Sequence, residues 1–226
     1  MNGPEAESMF AAHLFVHIPK TAGTSFRLAL DEAFPGRTAY DYAPRAPETS
    51  EAVREHVYRK RDLAALRERL IADEVQVLGG HVHFARYAEI FPPERVITFL
   101  REPVSRVVSE YEHACRHNGY AGELMEFAAT PRNQSLQTTM LRGVGLDRAA
   151  LVGITERYGE SLQLLRERVG WRIPELVRNV NPRRSALAGS YRLDPDQERQ
   201  LRAWNEADIA LYAEASAKFD EQIANW

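Results

Sequence analysis

The sequence of 226 residues contains a single cysteine, Cys115, so no disulfide can form within the chain. This favours a reducing compartment. No apolar run approaches the roughly 20 residues that cross a bilayer. The first eight residues carry Glu5 and Glu7 and lack the cationic start of a secretory signal. These absences predict a soluble, cytoplasmic protein without a membrane span.

The sequence also lacks an excess of charge of either sign. Its 29 lysines and arginines oppose 32 acidic residues, which leaves a formal charge of −3. A nucleic-acid binder normally shows a basic face and a high isoelectric point, so the balance argues against a nucleic-acid partner. Lysine itself is scarce, since only Lys20, Lys60 and Lys218 stand among 26 arginines. A compact ammonium and a planar guanidinium differ in chemistry, which makes each lysine position informative.

Apolar runs alternate with helical patterns along the chain. The run at residues 12–18 is typical of a strand whose two faces are both covered. Three further apolar runs, at residues 75–78, 95–101 and 151–156, also predict strands. Polar turns follow the first and third runs and lead into helices. Repeated strand–turn–helix units predict a single α/β domain over residues 1–226, with helices flanking a central parallel sheet in three layers.

The segments between these units have weaker patterns. Residues 1–10 are expected to be a disordered N-terminus, and the proline-containing stretch 37–49 is expected to be a surface loop. Apolar spacing predicts a charged helix over 51–73 and a short helix over 133–141. The tail 194–226 predicts one long or slightly broken amphipathic helix, which begins at the sequence DPDQ.

The turn after the first predicted strand, within HIPKTAGTSF at residues 17–26, suits an oxyanion. Backbone N–H groups at a helix N-terminus attract phosphate-like groups, and a glycine lets the backbone approach a ligand closely. The side chains that add hydroxyl groups or positive charge are Lys20, Thr21, Thr24 and Ser25, around Gly23. An ordinary polar turn in which a serine or threonine caps the helix is the alternative.

This turn departs from the phosphate loop of metal-dependent nucleotide hydrolases. In GxxxxGK[ST] the lysine follows the glycines and a neighbouring hydroxyl binds Mg²⁺. Here Lys20 precedes a single glycine, and no acidic strand end resembles the second metal-binding motif. The pattern therefore disfavours a metal-dependent kinase or hydrolase, although this class stays an alternative. It contains no recognisable metal-binding motif.

A second group of residues lies in FLREPVSRVVSEY. Arg101 ends the third predicted strand, and Ser109 follows eight residues later in a helix. Ligands of open parallel sheets bind at the carboxyl ends of the strands, so Arg101 and the 20–25 turn should open onto one crevice. A guanidinium fork suits a phosphate. A strand-end ion pair and a helix serine bonded to its own backbone are the alternatives.

These motifs resemble those of a known family. HIPKTAGTS is similar to the 5′-phosphosulfate loop, and LREPVSRVVSEY to the 3′-phosphate motif, of sulfotransferases that use 3′-phosphoadenosine 5′-phosphosulfate. The likeness is greatest to carbohydrate sulfotransferases of the heparan 2-O and 6-O type and their small bacterial relatives. It implies a P-loop-like sulfotransferase fold, a hydroxyl-bearing acceptor such as a saccharide, adenosine 3′,5′-bisphosphate as product, and no required metal.

The resemblance also implies individual roles. Lys20 would contact the sulfate and the bridging oxygen, while Arg101 and Ser109 would hold the 3′-phosphate. The 5′-phosphate would be held by Thr21, Ala22, Gly23, Thr24 and Ser25, where Ala22 replaces a glycine of many relatives. Arg183 and Arg184 lie where relatives have a loop that closes over the nucleotide. At most one of these two arginines is expected to contact it.

The histidines of GGHVHF complete the predicted site. The Gly80-His81 pair resembles the loop that bears the catalytic histidine of heparan-type enzymes, and an imidazole suits a general base at neutral pH. His83 and Gln137 are expected to help bind the acceptor, and His17 to support the turn through a hydrogen bond. His81 and His83 could together bind a metal ion, but the sequence shows no convincing third ligand. A non-catalytic protein that binds a nucleotide or a glycan is a further alternative.

Overall fold

A computed structural model describes residues 10–176 and 193–224. Its strands are β1 (His13–Val16), β2 (Thr38–Asp41), β3 (Val77–Gly80), β4 (Val96–Leu100) and β5 (Leu151–Ile154). Its α-helices are α1 (Gly23–Ala33), α2 (Glu51–Val53), α3 (Leu63–Ala72), α4 (Pro103–His117), α5 (Leu124–Ala129), α6 (Leu136–Met140), α7 (Tyr158–Val169), α8 (Pro195–Trp204) and α9 (Glu206–Ala224). Helix α2 continues as a π-helical segment, Arg54–Arg59. No helix in these two ranges is long and apolar enough to cross a membrane.

The five strands form one parallel sheet in the order β2-β3-β1-β4-β5. Helices flank the sheet, which confirms the predicted three-layer α/β fold. The connection after β1 leads to β2 on one side of the sheet, whereas the connection after β4 leads to β5 on the other side. The order therefore reverses between β1 and β4, and the carboxyl ends of these two strands are where such sheets bind ligands.

Helix α1 is fixed to the sheet by an aromatic cluster. The Phe26 ring lies 4.8 Å from the ring of Phe15 on β1 and 4.9 Å from that of Phe99 on β4. All three side chains are fully buried, and burying each contributes about 1.5–3 kcal/mol. The start of α1 is thereby held above the β1–β4 boundary.

Two expectations about the first half of the chain are wrong. Residues 38–41, expected to be loop, form the edge strand β2, whose terminal Asp41 is buried. Gly79 and Gly80, expected to end the second predicted strand, lie within β3. Gly80 packs so closely on β2 that a Cβ atom there would lie 2.0 Å from the carbonyl oxygen of Asp41, which explains why the strand accepts a glycine.

Two predicted helices are interrupted in the structure. The expected helix 51–73 ends at Arg59 and restarts at Leu63, where the Asp62 carboxylate accepts a hydrogen bond from the Ala65 N–H group. Aspartate at this position favours a new N-terminus. The expected C-terminal helix is broken at Asn205 between α8 and α9.

Candidate active site

The carboxyl ends of β1 and β4 border a cleft of about 820 Å³. The turn after β1 forms one wall, and the residues after β4 and along α4 form another. Most of the predicted site residues line this single cleft, namely Lys20, Ala22, Gly23, Thr24, Ser25, His81, Arg101 and Ser109. The structure thus brings together residues that are up to 89 positions apart in the sequence.

The turn before α1 leaves the first N–H groups of the helix without a capping side chain. The N-cap residue is Ala22, which has no side-chain acceptor, and no acidic residue lies in the first turn. This excludes the alternative in which a serine or threonine caps the helix. The N-terminus of an 11-residue helix therefore faces the cleft with the attraction for anions that its dipole provides.

Backbone conformation and packing shape this turn. Lys20 and Ala22 both adopt the left-handed region, with φ of 69° and 65°. The Thr21 hydroxyl donates to the carbonyl of Ile18 at 2.8 Å and is buried. The Thr21 hydroxyl thus stabilises the turn itself, whereas the sequence predicted that it would contact the phosphate. A Cβ atom at Gly23 would lie 1.9 Å from the His17 ring, so only glycine fits.

The conformation of Ala22 leads to a stability prediction. A non-glycine residue in the left-handed region is strained by about 1–2 kcal/mol, and the greater freedom of glycine in the unfolded chain offsets part of the relief. We expect Ala22→Gly to raise the free energy of unfolding by about 0.5–1 kcal/mol, measured by urea denaturation. Ala213→Gly, at an exposed position inside α9, should instead lower it by about 1 kcal/mol. An equal change in the free energy of unfolding at the two positions would contradict backbone strain at Ala22.

Arg101 connects the two walls of the cleft. Its Nη1 atom donates to the carbonyl oxygen of Lys20 at 3.2 Å, and the Arg101 backbone is bonded to the side chain of Gln137. Glu102 follows at the N-cap of α4, where its carboxylate accepts from two N–H groups of the first turn. Ser109 lies two turns along this helix and is buried. The predicted meeting of the 20–25 turn with Arg101 is confirmed by these contacts.

His81 lies at the end of β3 among two other rings. The His81 ring centroid is 4.5 Å from that of His17 and 4.8 Å from that of Tyr42, both in edge-on arrangements. His17 Nδ1 and the Tyr42 hydroxyl share a hydrogen bond of 2.7 Å. His17 thus bonds to Tyr42 and supports the turn through packing on Gly23, in place of the hydrogen bond expected from the sequence.

The surroundings of these histidines favour neutral imidazoles. Burial lowers the pKa of His17 well below its ordinary value, and the nearby His81, Arg27 and Lys20 act in the same direction. His81 is exposed at the cleft, yet partial loss of hydration lowers its pKa too. The carboxylate of Glu48 opposes this shift, whereas His113 and Lys20 add to it. At neutral pH the His81 ring therefore has a nitrogen that can accept a proton.

Other predicted site residues do not join this arrangement. His83 is exposed and its Nδ1 lies 3.3 Å from the carbonyl of Thr139, outside the lining of the cleft. Gln137 is fully buried behind Arg101, so its expected contact with the acceptor is wrong. Arg183 and Arg184 lie outside the described residues. Among those that are described, no group of three histidine, cysteine or acidic side chains is arranged to hold a metal ion; the expectation that no metal is required stays a prediction.

The cleft also contains residues that the sequence did not single out. Glu110 and His113 on α4 line the cleft with Ser109, and helical spacing was a usable signal for His113, which lies four residues after Ser109. Thr155 and Tyr158 follow β5 and could have been found from the strand-end rule. Tyr42 follows β2, a strand that no pattern indicated.

Comparison with solved structures finds a sulfotransferase from Alicyclobacillus acidocaldarius. The alignment has a TM-score of 0.51 and 18% sequence identity, and it covers 91% of this chain and 96% of that chain. At this identity the likeness establishes a common fold. Comparisons with protein-family models and with curated proteins give no match.

Proposed function

We propose that the protein is a sulfotransferase that moves a sulfuryl group from 3′-phosphoadenosine 5′-phosphosulfate to an acceptor hydroxyl. The observation that carries the proposal is the uncapped N-terminus of α1, which lies beside Lys20 in the same cleft as Arg101 and His81. The fold shared with the Alicyclobacillus enzyme supports it. The likeness of both motifs to those of carbohydrate sulfotransferases favours a saccharide as the acceptor.

The residues of the cleft suit a nucleotide that carries anions at both ends of its ribose. The N–H groups at the start of α1 and the hydroxyls of Thr24 and Ser25 would hold the 5′-phosphate. Arg101 and Ser109 would hold the 3′-phosphate. The contact from Arg101 to the Lys20 carbonyl keeps these two anion sites in a fixed relation, and such fixed positioning is a large part of catalysis in group transfer.

The transfer itself requires a base and a site for the charge that develops on the leaving group. The neutral ring of His81 would take the proton of the acceptor hydroxyl as its oxygen forms a bond to sulfur. The bond between sulfur and the bridging oxygen breaks, and that oxygen stays on the nucleotide as part of its 5′-phosphate. Lys20 and the α1 N–H groups would stabilise the negative charge gained there.

A transfer assay tests the proposal directly. The protein is incubated with the donor carrying radiolabelled sulfate and with a panel of neutral and acidic saccharides and small phenols. We expect label to appear on an acceptor together with adenosine 3′,5′-bisphosphate. A protein that binds the donor and transfers to no acceptor, or that hydrolyses ATP in the presence of Mg²⁺, would support one of the two rival functions instead.

Arg101 gives a prediction about donor binding. Arg101→Ala should weaken the binding of adenosine 3′,5′-bisphosphate by about 1.5–3 kcal/mol, the contribution of a charged hydrogen bond, or roughly 10- to 150-fold in Kd. Calorimetric titration measures the change. Arg148→Ala, which removes an exposed arginine paired with Glu94 outside the cleft, is the matched control and should leave the affinity unchanged. Unchanged affinity in Arg101→Ala would mean that the 3′-phosphate binds elsewhere.

A further inference from the structure

We propose that Gln137 is a positioning residue for Arg101, and that the C-terminal helix α9 holds Gln137 in place through Asp208. The inference rests on the proposed role of Arg101 toward the 3′-phosphate. It gives a functional reason for a set of buried polar contacts behind the cleft. These contacts join the start of α9 to the proposed donor site.

Gln137 contacts the Arg101 backbone twice. Gln137 Oε1 accepts a hydrogen bond from the Arg101 N–H group at 2.9 Å, and Gln137 Nε2 donates to the Arg101 carbonyl at 3.0 Å. The N–H and the carbonyl belong to the two peptide planes that flank the Arg101 Cα atom. One planar amide therefore fixes both backbone dihedrals of Arg101 and, with them, the direction in which its side chain leaves β4.

Gln137 is itself held in place at the start of helix α6. Helix α6 has Ser135 at its N-cap, in the left-handed conformation and without a cap from its own side chain. Side chains at the start of α9 and just before it supply the acceptors instead. Asn205 Oδ1 accepts from the Ser135 N–H group at 3.0 Å, and the Asp208 carboxylate accepts from those of Gln137 and Thr138 at 3.0 and 2.7 Å.

These polar groups are removed from water. Gln137 and Asp208 are both fully buried. Arg106 on α4, also fully buried, interacts electrostatically with Asp208 and donates through Nη2 to the carbonyl of Asn133 at 3.0 Å. Leaving a buried polar group without its hydrogen-bond partner lowers the stability of the folded protein. Each residue of this set therefore holds its neighbour in a defined geometry. The contacts run from Asp208 through α6 to Gln137, Arg101 and the carbonyl of Lys20.

The test measures how strongly the protein prefers adenosine 3′,5′-bisphosphate over adenosine 5′-monophosphate, two ligands that differ only in the 3′-phosphate. The ratio of their Kd values, from calorimetry, does not depend on the folded fraction of a variant. Gln137→Met keeps the approximate shape and removes both hydrogen bonds. We expect it to reduce the preference about tenfold, within the ~100-fold that a misplaced group can cause. In an Arg101→Ala background it should cause no further reduction.

The control is Tyr87→Phe, which removes another buried hydrogen bond, the one that the Tyr87 hydroxyl donates to the Asp41 carboxylate at 2.7 Å outside the cleft and outside this set. It should lower stability and leave the preference unchanged. Asp208→Asn removes one of the two carboxylate acceptors. Like Gln137→Met, it should reduce the preference for the ligand that carries the 3′-phosphate. If Gln137→Met does not fold, the result with Asp208→Asn decides.

The outcomes separate the two proposals. A wild-type protein without a preference for the 3′-phosphate would overturn the proposed function and this inference with it. A wild-type preference that Arg101→Ala abolishes while Gln137→Met and Asp208→Asn retain it would overturn the inference alone. An equal loss of preference in the Tyr87→Phe control would also overturn it, because the effect would then be a general result of weakened buried contacts.

Discussion

His81→Ala is expected to lower kcat for sulfuryl transfer by about 10²–10⁴-fold, the usual contribution of a general base. The affinity for adenosine 3′,5′-bisphosphate should remain, because the predicted donor contacts come from the start of α1, from Arg101 and from Ser109, and not from His81. Steady-state transfer rates measure the loss of kcat, and calorimetry measures the retained affinity. His117→Ala, an exposed histidine of α4 outside the lining of the cleft, is the control and should keep full activity.

The pH dependence of the wild-type rate gives the same residue a second test. Reduced hydration lowers the pKa of His81 below 6.5. The base form therefore persists below pH 6.5 and is lost as the pH falls through the lowered pKa, so the acidic limb of kcat should lie below pH 6.5. The limb should disappear in the residual activity of His81→Ala. A fully active His81→Ala protein would contradict the assignment.

Lys20→Arg is expected to reduce transfer nearly as much as Lys20→Ala, by roughly 10²-fold or more, the effect of removing a group that stabilises charge on a leaving oxygen. An ammonium is a compact point charge that can follow the developing charge onto the bridging oxygen, whereas a guanidinium is a larger planar fork. The positive φ of Lys20 and the hydrogen bond from Arg101 to its carbonyl hold the backbone at this position. Single-turnover rates with prebound donor measure the loss.

Lys60→Arg is the matched control for this substitution. Lys60 lies just after the π-helical segment, where its ammonium pairs with Glu55 at 3.1 Å and is largely exposed. Arginine should serve equally there, and neither activity nor stability should change measurably, since exposed ion pairs contribute little. If Lys20→Arg is as active as the wild type, positive charge alone suffices at position 20 and the specific role given to lysine is wrong.

The sequence was sufficient to predict the central strands because they are buried on both faces. Strands β1 and β4 are short runs in which every residue is buried, and such strands produce nearly continuous apolar segments. Strand β2 gives no such signal, because its sequence TAYD ends in a carboxylate. The buried Asp41 is accommodated by partners far along the chain, since it accepts hydrogen bonds from Tyr58, Tyr87 and Arg86. No local pattern predicts such a group of partners.

The candidate site was predictable where the backbone determines it and less so where side-chain direction does. The positions of Lys20 and Arg101 follow from the ends of two adjacent parallel strands. Thr21 and Gln137 were predicted to contact ligands because of their polar groups, but their hydroxyl and amide bond to the backbone of Ile18 and Arg101. Residue type indicates the capacity to form a hydrogen bond, and only tertiary packing decides whether the partner is a ligand or the protein itself.

The most direct test of the central claim is a calorimetric titration of the wild-type protein with adenosine 3′,5′-bisphosphate and, separately, with ATP and Mg²⁺. A cleft that holds one anion at the N-terminus of α1 and a second at Arg101 predicts one bisphosphate per chain. Binding should not need Mg²⁺ and should be at least tenfold tighter than that of ATP. Tighter binding of ATP that requires Mg²⁺, or no binding of the bisphosphate, would contradict the assignment of this cleft to a sulfuryl donor.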